Sequence, residues 1–140
     1  MFFPELKSAR IMPKKKLPRP TDGELSILRV LWERGPSTVR DVHSILNTRG
    51  ETGYTTTLKL MQIMTEKGLV RRNESARTHV YEASLPESEA QRQFVGDLVD
   101  RVFRGSAAKL VLQALSGKKA SADELNQIRN LLDDIERRTK

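Results

Sequence analysis

A chain of 140 residues, 37% hydrophobic and 31% charged, has room for one domain or two small ones with a modest, helix-rich core. No apolar run approaches the ~18 residues that span a bilayer, and Met1-Phe2-Phe3-Pro4 runs directly into charge, unlike a secretory leader. The absence of cysteine excludes disulfides, thiol nucleophiles and cysteine-based metal sites, and a cytoplasmic location is expected.

The net charge of +7 is unevenly spread. Residues 1–20 carry six Lys/Arg against one Glu, residues 21–84 nine basic against eight acidic, and residues 85–140 ten against nine. The basic excess therefore sits in the first segment, and the rest is nearly neutral. Residues 1–20 also hold Pro4, Pro13, Pro18 and Pro20 around Lys14-Lys15-Lys16. Prolines at that density forbid a continuous helix. The segment reads as a disordered basic arm that lies along phosphates with salt-dependent, sequence-blind affinity. The alternative is a leader without a role, with Met12 as the true start.

Thr21 opens the fold. It is a good N-cap, and Glu24 three residues later completes a capping box. The helix runs to Arg34 with apolar residues around most of its circumference, so it reads as a buried central helix with Trp32 in the core. Gly35-Pro36 stops it. Ser37-Thr38-Val39 is a short extended entry to a second helix, capped by Thr38 with Asp41 three residues on. Val39, Val42, Ile45 and Leu46 form its apolar side. His43 falls on the polar side and reads as solvated. Arg40, in the first turn, is either a surface charge or a phosphate contact. Residues 47–53 form a polar loop.

The stretch from Tyr54 to Lys67 reads as a third helix closed by Gly68, since glycine tolerates the left-handed conformation just past a helix end. At ~100° per residue, Thr57, Leu60, Met61 and Met64 share one side. Thr55, Lys59 and Gln62 share the other, flanked by Thr56, Leu58 and Ile63. The second side suits a major groove, where amides and cations read base edges and aliphatic carbons touch thymine methyls. An ordinary amphipathic helix would show much the same pattern.

Two strands follow, Leu69–Arg72 and Thr78–Glu82, from their alternation and β-branched content. A polar turn, Asn73 to Arg77, joins them. Three helices followed by a hairpin carrying Arg71, Arg72, Arg77 and His79 is the order of a winged helix. In that fold the third helix enters the major groove and the wing touches the backbone. Thr55, Leu58, Lys59, Gln62 and Ile63 are the expected base-facing residues. Arg40, Thr56, Arg71, Arg72, Arg77 and His79 are the expected backbone contacts.

Residues 85–140 differ in character. Pro86 and Glu87 open a helix with Phe94, Val95, Leu98, Val99, Val102 and Phe103. Ser106 opens a shorter one with Leu110, Val111 and Leu115. Ser121, with Glu124 in a capping box, opens the last. Its Leu125, Ile128, Leu132 and Ile135 follow the 3-4-3 spacing of a coiled-coil seam. Three short helices bury little apolar surface alone, so the segment reads as a dimerisation module, with Phe94, Leu98, Val102, Leu110 and the late seam at a C2 interface. The alternative is that these helices fold back as part of a monomer. The whole is thus a mainly α chain: basic arm 1–20, winged helix-turn-helix 21–84, and three-helix dimerisation module 85–140.

Leu31-Trp32-Glu33-Arg34-Gly35, Tyr54-Thr55-Thr56-Thr57-Leu58 and Glu66-Lys67-Gly68-Leu69-Val70-Arg71-Arg72 resemble the BlaI/MecI family of penicillinase and methicillin-resistance repressors, as does the late Leu/Ile seam. The resemblance covers roughly residues 21 to 138. It implies a homodimeric winged-helix repressor on a palindromic operator in double-stranded DNA, without a cofactor. In some members a membrane sensor-protease system leads to cleavage in the dimerisation domain, here aligned near Asp97-Leu98. This chain has Asp-Leu where better-known members have Asn-Phe, and Ile63 where many carry arginine. Copper-responsive relatives use a C-terminal cysteine cluster, which is lacking here.

No catalytic constellation emerges. Neither histidine lies in a nucleophile or metal pattern, the glycines mark turns and helix ends, and Asp97, Asp100, Asp133 and Asp134 fall on solvated helix faces. The rival reading is a winged-helix docking module that binds protein rather than DNA.

Overall fold

The computed structural model describes residues 17–47 and 53–139. The basic run before Leu17 and most of the loop before Gly53 lie outside the described residues. Among the described residues, six helices and one hairpin follow in the order α1 (Asp22–Arg34), α2 (Val39–Leu46), α3 (Tyr54–Lys67), β1 (Val70–Asn73), β2 (Val80–Ala83), α4 (Glu87–Val102), α5 (Ala107–Gly117) and α6 (Ala122–Thr139). Contacts divide the chain into two compact units, one reaching Val95 and one from Gly96 onward.

The first unit is a winged helix. Both expected capping boxes form. Thr21 Oγ1 accepts the Glu24 N–H at 3.2 Å while Glu24 Oε1 accepts the Thr21 N–H at 2.9 Å. Thr38 and Asp41 repeat the pattern at 3.1 and 3.2 Å. Such reciprocal bonds satisfy donors that have no partner within the helix. The three helices enclose Ile27, Leu28, Leu31, Val42, Met61 and Met64, and the hairpin closes the core with Leu69, Val70 and Tyr81. Thr57, Met61 and Met64 are buried on the side of α3 that the periodicity marks as inner.

The hairpin is antiparallel, with Arg71 opposite Glu82 and Arg72 opposite Tyr81. Ser37 adds a third strand position: its N–H donates to Tyr81 O at 2.9 Å, and Tyr81 N–H donates to Ser37 O at 2.8 Å. The extended entry before α2 is therefore stitched to the wing, which ties the wing to the α1–α2 corner. Trp32 packs against the core and donates Nε1–H to Leu85 O at 3.0 Å. The first turns of α4 are also anchored here. Ala90 is buried, and Gln93 Oε1 accepts the Leu17 N–H at 3.1 Å.

The second unit contains the end of α4, then α5 and α6. Ser106 Oγ caps α5 by accepting the Lys109 N–H at 3.1 Å. Ser121 and Glu124 form the reciprocal pair that opens α6. The Ser121 backbone bond, then its hydroxyl, holds the Glu124 carboxyl below its ordinary pKa. Neither α5 nor α6 has a buried residue. Among the described residues no helix is long and apolar enough to cross a membrane, and no group of three or more His, Cys, Asp or Glu is placed to hold a metal ion.

Candidate nucleic-acid interface

α3 is held from its inner side and presents the other. Thr55, Thr56, Lys59 and Gln62 are exposed, with Leu58 and Ile63 half-buried at the flanks. Among the described residues, none of Thr55, Lys59 and Gln62 is drawn into a side-chain bond, so the row offers one hydroxyl, one ammonium and one amide to a ligand. These groups lie along one helix face because positions three and four apart stack on successive turns.

The first turn of α3 has no side-chain cap, since Gly53 occupies the N-cap position. It is tied to α2 instead. His43 Nδ1 lies 3.4 Å from Thr57 Oγ1, and its Nε2 lies 3.3 Å from Asn47 Nδ2. The Tyr54 ring stands edge-on to His43 with centroids 5.8 Å apart, and the Arg40 guanidinium lies 5.8 Å from the Tyr54 centroid. His43 is thus a bridge between α2 and α3, not the solvated side chain expected from its helix alone. Only the packing of the two helices places Thr57 opposite it.

The wing sorts its cations by the two-residue alternation of strands. Arg71 shares a face with Glu82, to which it pairs at 3.1 Å, and lines a concavity with Trp32, Gly35 and Pro36. Arg72 falls on the opposite face with Tyr81 and reaches Glu74 Oε2 at 3.2 Å through Nη2. Arg77 and His79 line a second concavity, of about 350 Å³, together with Thr38, Arg40, Tyr54 and Leu58. The structure therefore brings together Arg40, Leu58, Arg77 and His79 of the expected contacts, and Arg71 is turned to another surface. Tyr54 belongs to the same concavity. Its place depends on Arg40 and His43 from another helix, so the pattern of α3 alone does not mark it.

None of the expected dimer positions is buried. Leu98, Val102, Leu132 and Ile135 are exposed; Phe94, Leu110, Leu125 and Ile128 are half-buried. Asp97 pairs with Arg101 at 2.8 Å, and the Asp97-Leu98 bond lies within the regular turns of α4.

The penicillinase repressor family model matches residues 20–134. Among curated proteins, the chain is 23% identical over 126 residues to the penicillinase repressor of Bacillus licheniformis, covering 90% of this chain and 98% of that protein. It is 30% identical over 124 residues to the transcriptional regulator BlaI of Mycobacterium tuberculosis, covering 86% and 88%. It is 19% identical over 112 residues to the methicillin resistance regulatory protein MecI of Staphylococcus aureus, covering 80% and 91%. A solution structure of the DNA binding domain of the repressor BlaI aligns with 54% of this chain and 93% of that one, with a TM-score of 0.47 and 24% identity. A match across 20–134 and a relative at 30% identity over most of the chain place this protein in the penicillinase repressor family, that of the BlaI/MecI transcriptional repressors.

Proposed function

We propose that this chain is a sequence-specific transcriptional repressor that binds double-stranded DNA as a homodimer on a palindromic operator. The observation that carries the reading is the division of α3: Thr57, Met61 and Met64 are buried, and Thr55, Lys59 and Gln62 stand free on the other side. A helix so anchored can enter a major groove without losing core packing. Lys59 and Gln62 then read base edges, Thr55 assists, and Leu58 and Ile63 approach thymine methyls. Thr56 and Arg40 at the start of α3 and α2, with Arg72, Arg77 and His79 on the wing, serve the phosphates. Arg71 contributes through the general field of the wing, since its side chain faces elsewhere.

The dimer reading rests on α4–α6. Val102 is 61% exposed, Leu112 65% and Leu132 52%. Apolar surface that dense is covered in solution more often than left wet, and a second copy is the simplest closed partner. Relief of repression by a sensor-protease at Asp97-Leu98 would require α4 to open there, because a protease reads an extended chain and not a helix.

Binding of the purified protein to DNA from its own upstream region, against random DNA at two salt concentrations, tests the reading. A palindromic fragment held tightly at the higher salt supports it. Weak binding to every fragment, lost as salt rises, refutes sequence readout and favours a docking module.

A further inference from the structure

The wing carries its own anion. Asn73 Oδ1 accepts the Ser75 N–H at 2.9 Å, an Asx turn that shapes the hairpin tip. Glu74 projects from that turn between Arg72 and His79. Its Oε2 receives Arg72 Nη2 at 3.2 Å, and its Oε1 lies 3.8 Å from His79 Nε2. The Arg72 guanidinium also interacts with the Tyr81 side chain, and its Nε is buried, so it meets outside ligands through its Nη groups, one of which Glu74 holds. Among the described residues, Arg77, in the same turn, has neither an ion pair nor a hydrogen bond.

A carboxylate and a phosphate make the same fork to a guanidinium. We infer that Glu74 is an affinity-setting residue: its carboxylate occupies the positions on Arg72 and His79 that a DNA phosphate would take, and the duplex must displace it. Docking the wing then exchanges an internal pair for an external one and yields little net attraction at those two residues. Arg77 alone gains a partner. The wing's sequence-blind affinity is held down, and discrimination is left to α3. This inference rests on the DNA-binding reading above. It adds the residue that limits the backbone contribution.

The test is Glu74→Gln, with binding to a random-sequence duplex and to the upstream fragment measured across a salt series. The wild type is run alongside. Removal of the carboxylate is expected to raise affinity for both duplexes by roughly three- to tenfold, since exposed pairs are weak competitors. It should also steepen the salt dependence by about one unit for each phosphate newly engaged. Glu74→Asp should return affinity toward the wild type. Arg72→Gln should cost more in the Glu74→Gln background than in the wild type, and should cancel most of the gain there. Unchanged affinity and slope in Glu74→Gln, with a wild type that binds DNA, would overturn the inference, as would a loss of binding rescued by Asp. A wild type that binds neither duplex would instead overturn the DNA-binding reading itself.

Discussion

Lys67, at the last turn of α3, reaches back to Glu24 in the first turn of α1, with Nζ 2.8 Å from Oε2 and 3.0 Å from Oε1. The two lie 43 positions apart in sequence. Glu24 already accepts the Thr21 N–H, so one buried carboxylate both caps α1 and clamps the end of α3. Burial works against its charge. The Lys67 ammonium and the Thr21 bonds outweigh burial and hold its pKa below the ordinary carboxylate value.

Replacing Lys67 by Met leaves Glu24 buried without its cation. The expected loss is about 1–3 kcal/mol, as for a buried group deprived of its charged partner, and thermal unfolding would measure it. The pH dependence has a defined sign. A lowered folded-state pKa gives stability that is complete above the unfolded carboxyl value and is lost as pH falls through the folded one. Wild type should therefore lose stability on acidification through that window, and Lys67→Met should lose less. Equal acid limbs in the two proteins would remove the pair from the account.

Gly68 closes α3 at φ +83°, and its N–H serves the carbonyls of Met64 and Thr65. A Cβ there would meet nothing within 4 Å, so only backbone strain opposes substitution. Gly68→Ala should cost about 1–2 kcal/mol, read from denaturant midpoints. A neutral result would mean that the turn relaxes out of the left-handed region.

Lys59→Ala should weaken operator binding by about 1–3 kcal/mol and random DNA far less, because base contacts carry sequence information. Competition titrations with both duplexes decide this. Equal losses on the two would place Lys59 on phosphate.

Arg77→Ala should weaken both duplexes alike and flatten the salt slope by about one unit. A slope that does not move would take Arg77 out of the interface, despite its place beside Arg40 and Leu58.

Leu132→Asp puts a charge in the α6 seam, where the side chain is half exposed in the single chain. Sedimentation should then show monomers with unchanged helix content. Dimers that persist would move the interface to another face.

Local chemistry was legible in the sequence. Thr21 with Glu24, Thr38 with Asp41 and Ser121 with Glu124 are reciprocal caps between residues three apart, so a short window contains all the physics. The inner side of α3 was readable for the same reason, since helical periodicity puts Thr57, Met61 and Met64 together whatever they pack against. Pairings across the chain were not readable. Nothing near Lys67 announces Glu24, nothing near Ser37 announces Tyr81, and His43 looks solvated until α3 brings Thr57 and Tyr54 to it. The four residues of β1 show the limit most plainly. Composition groups Arg71 and Arg72 as one basic patch, but the pleat sends them to opposite faces, one to Glu82 and one toward Tyr81 and Glu74. Sequence determines which groups are present and how each helix and strand repeats. Tertiary packing decides which of them meet, because those contacts depend on how separate elements close around a shared core.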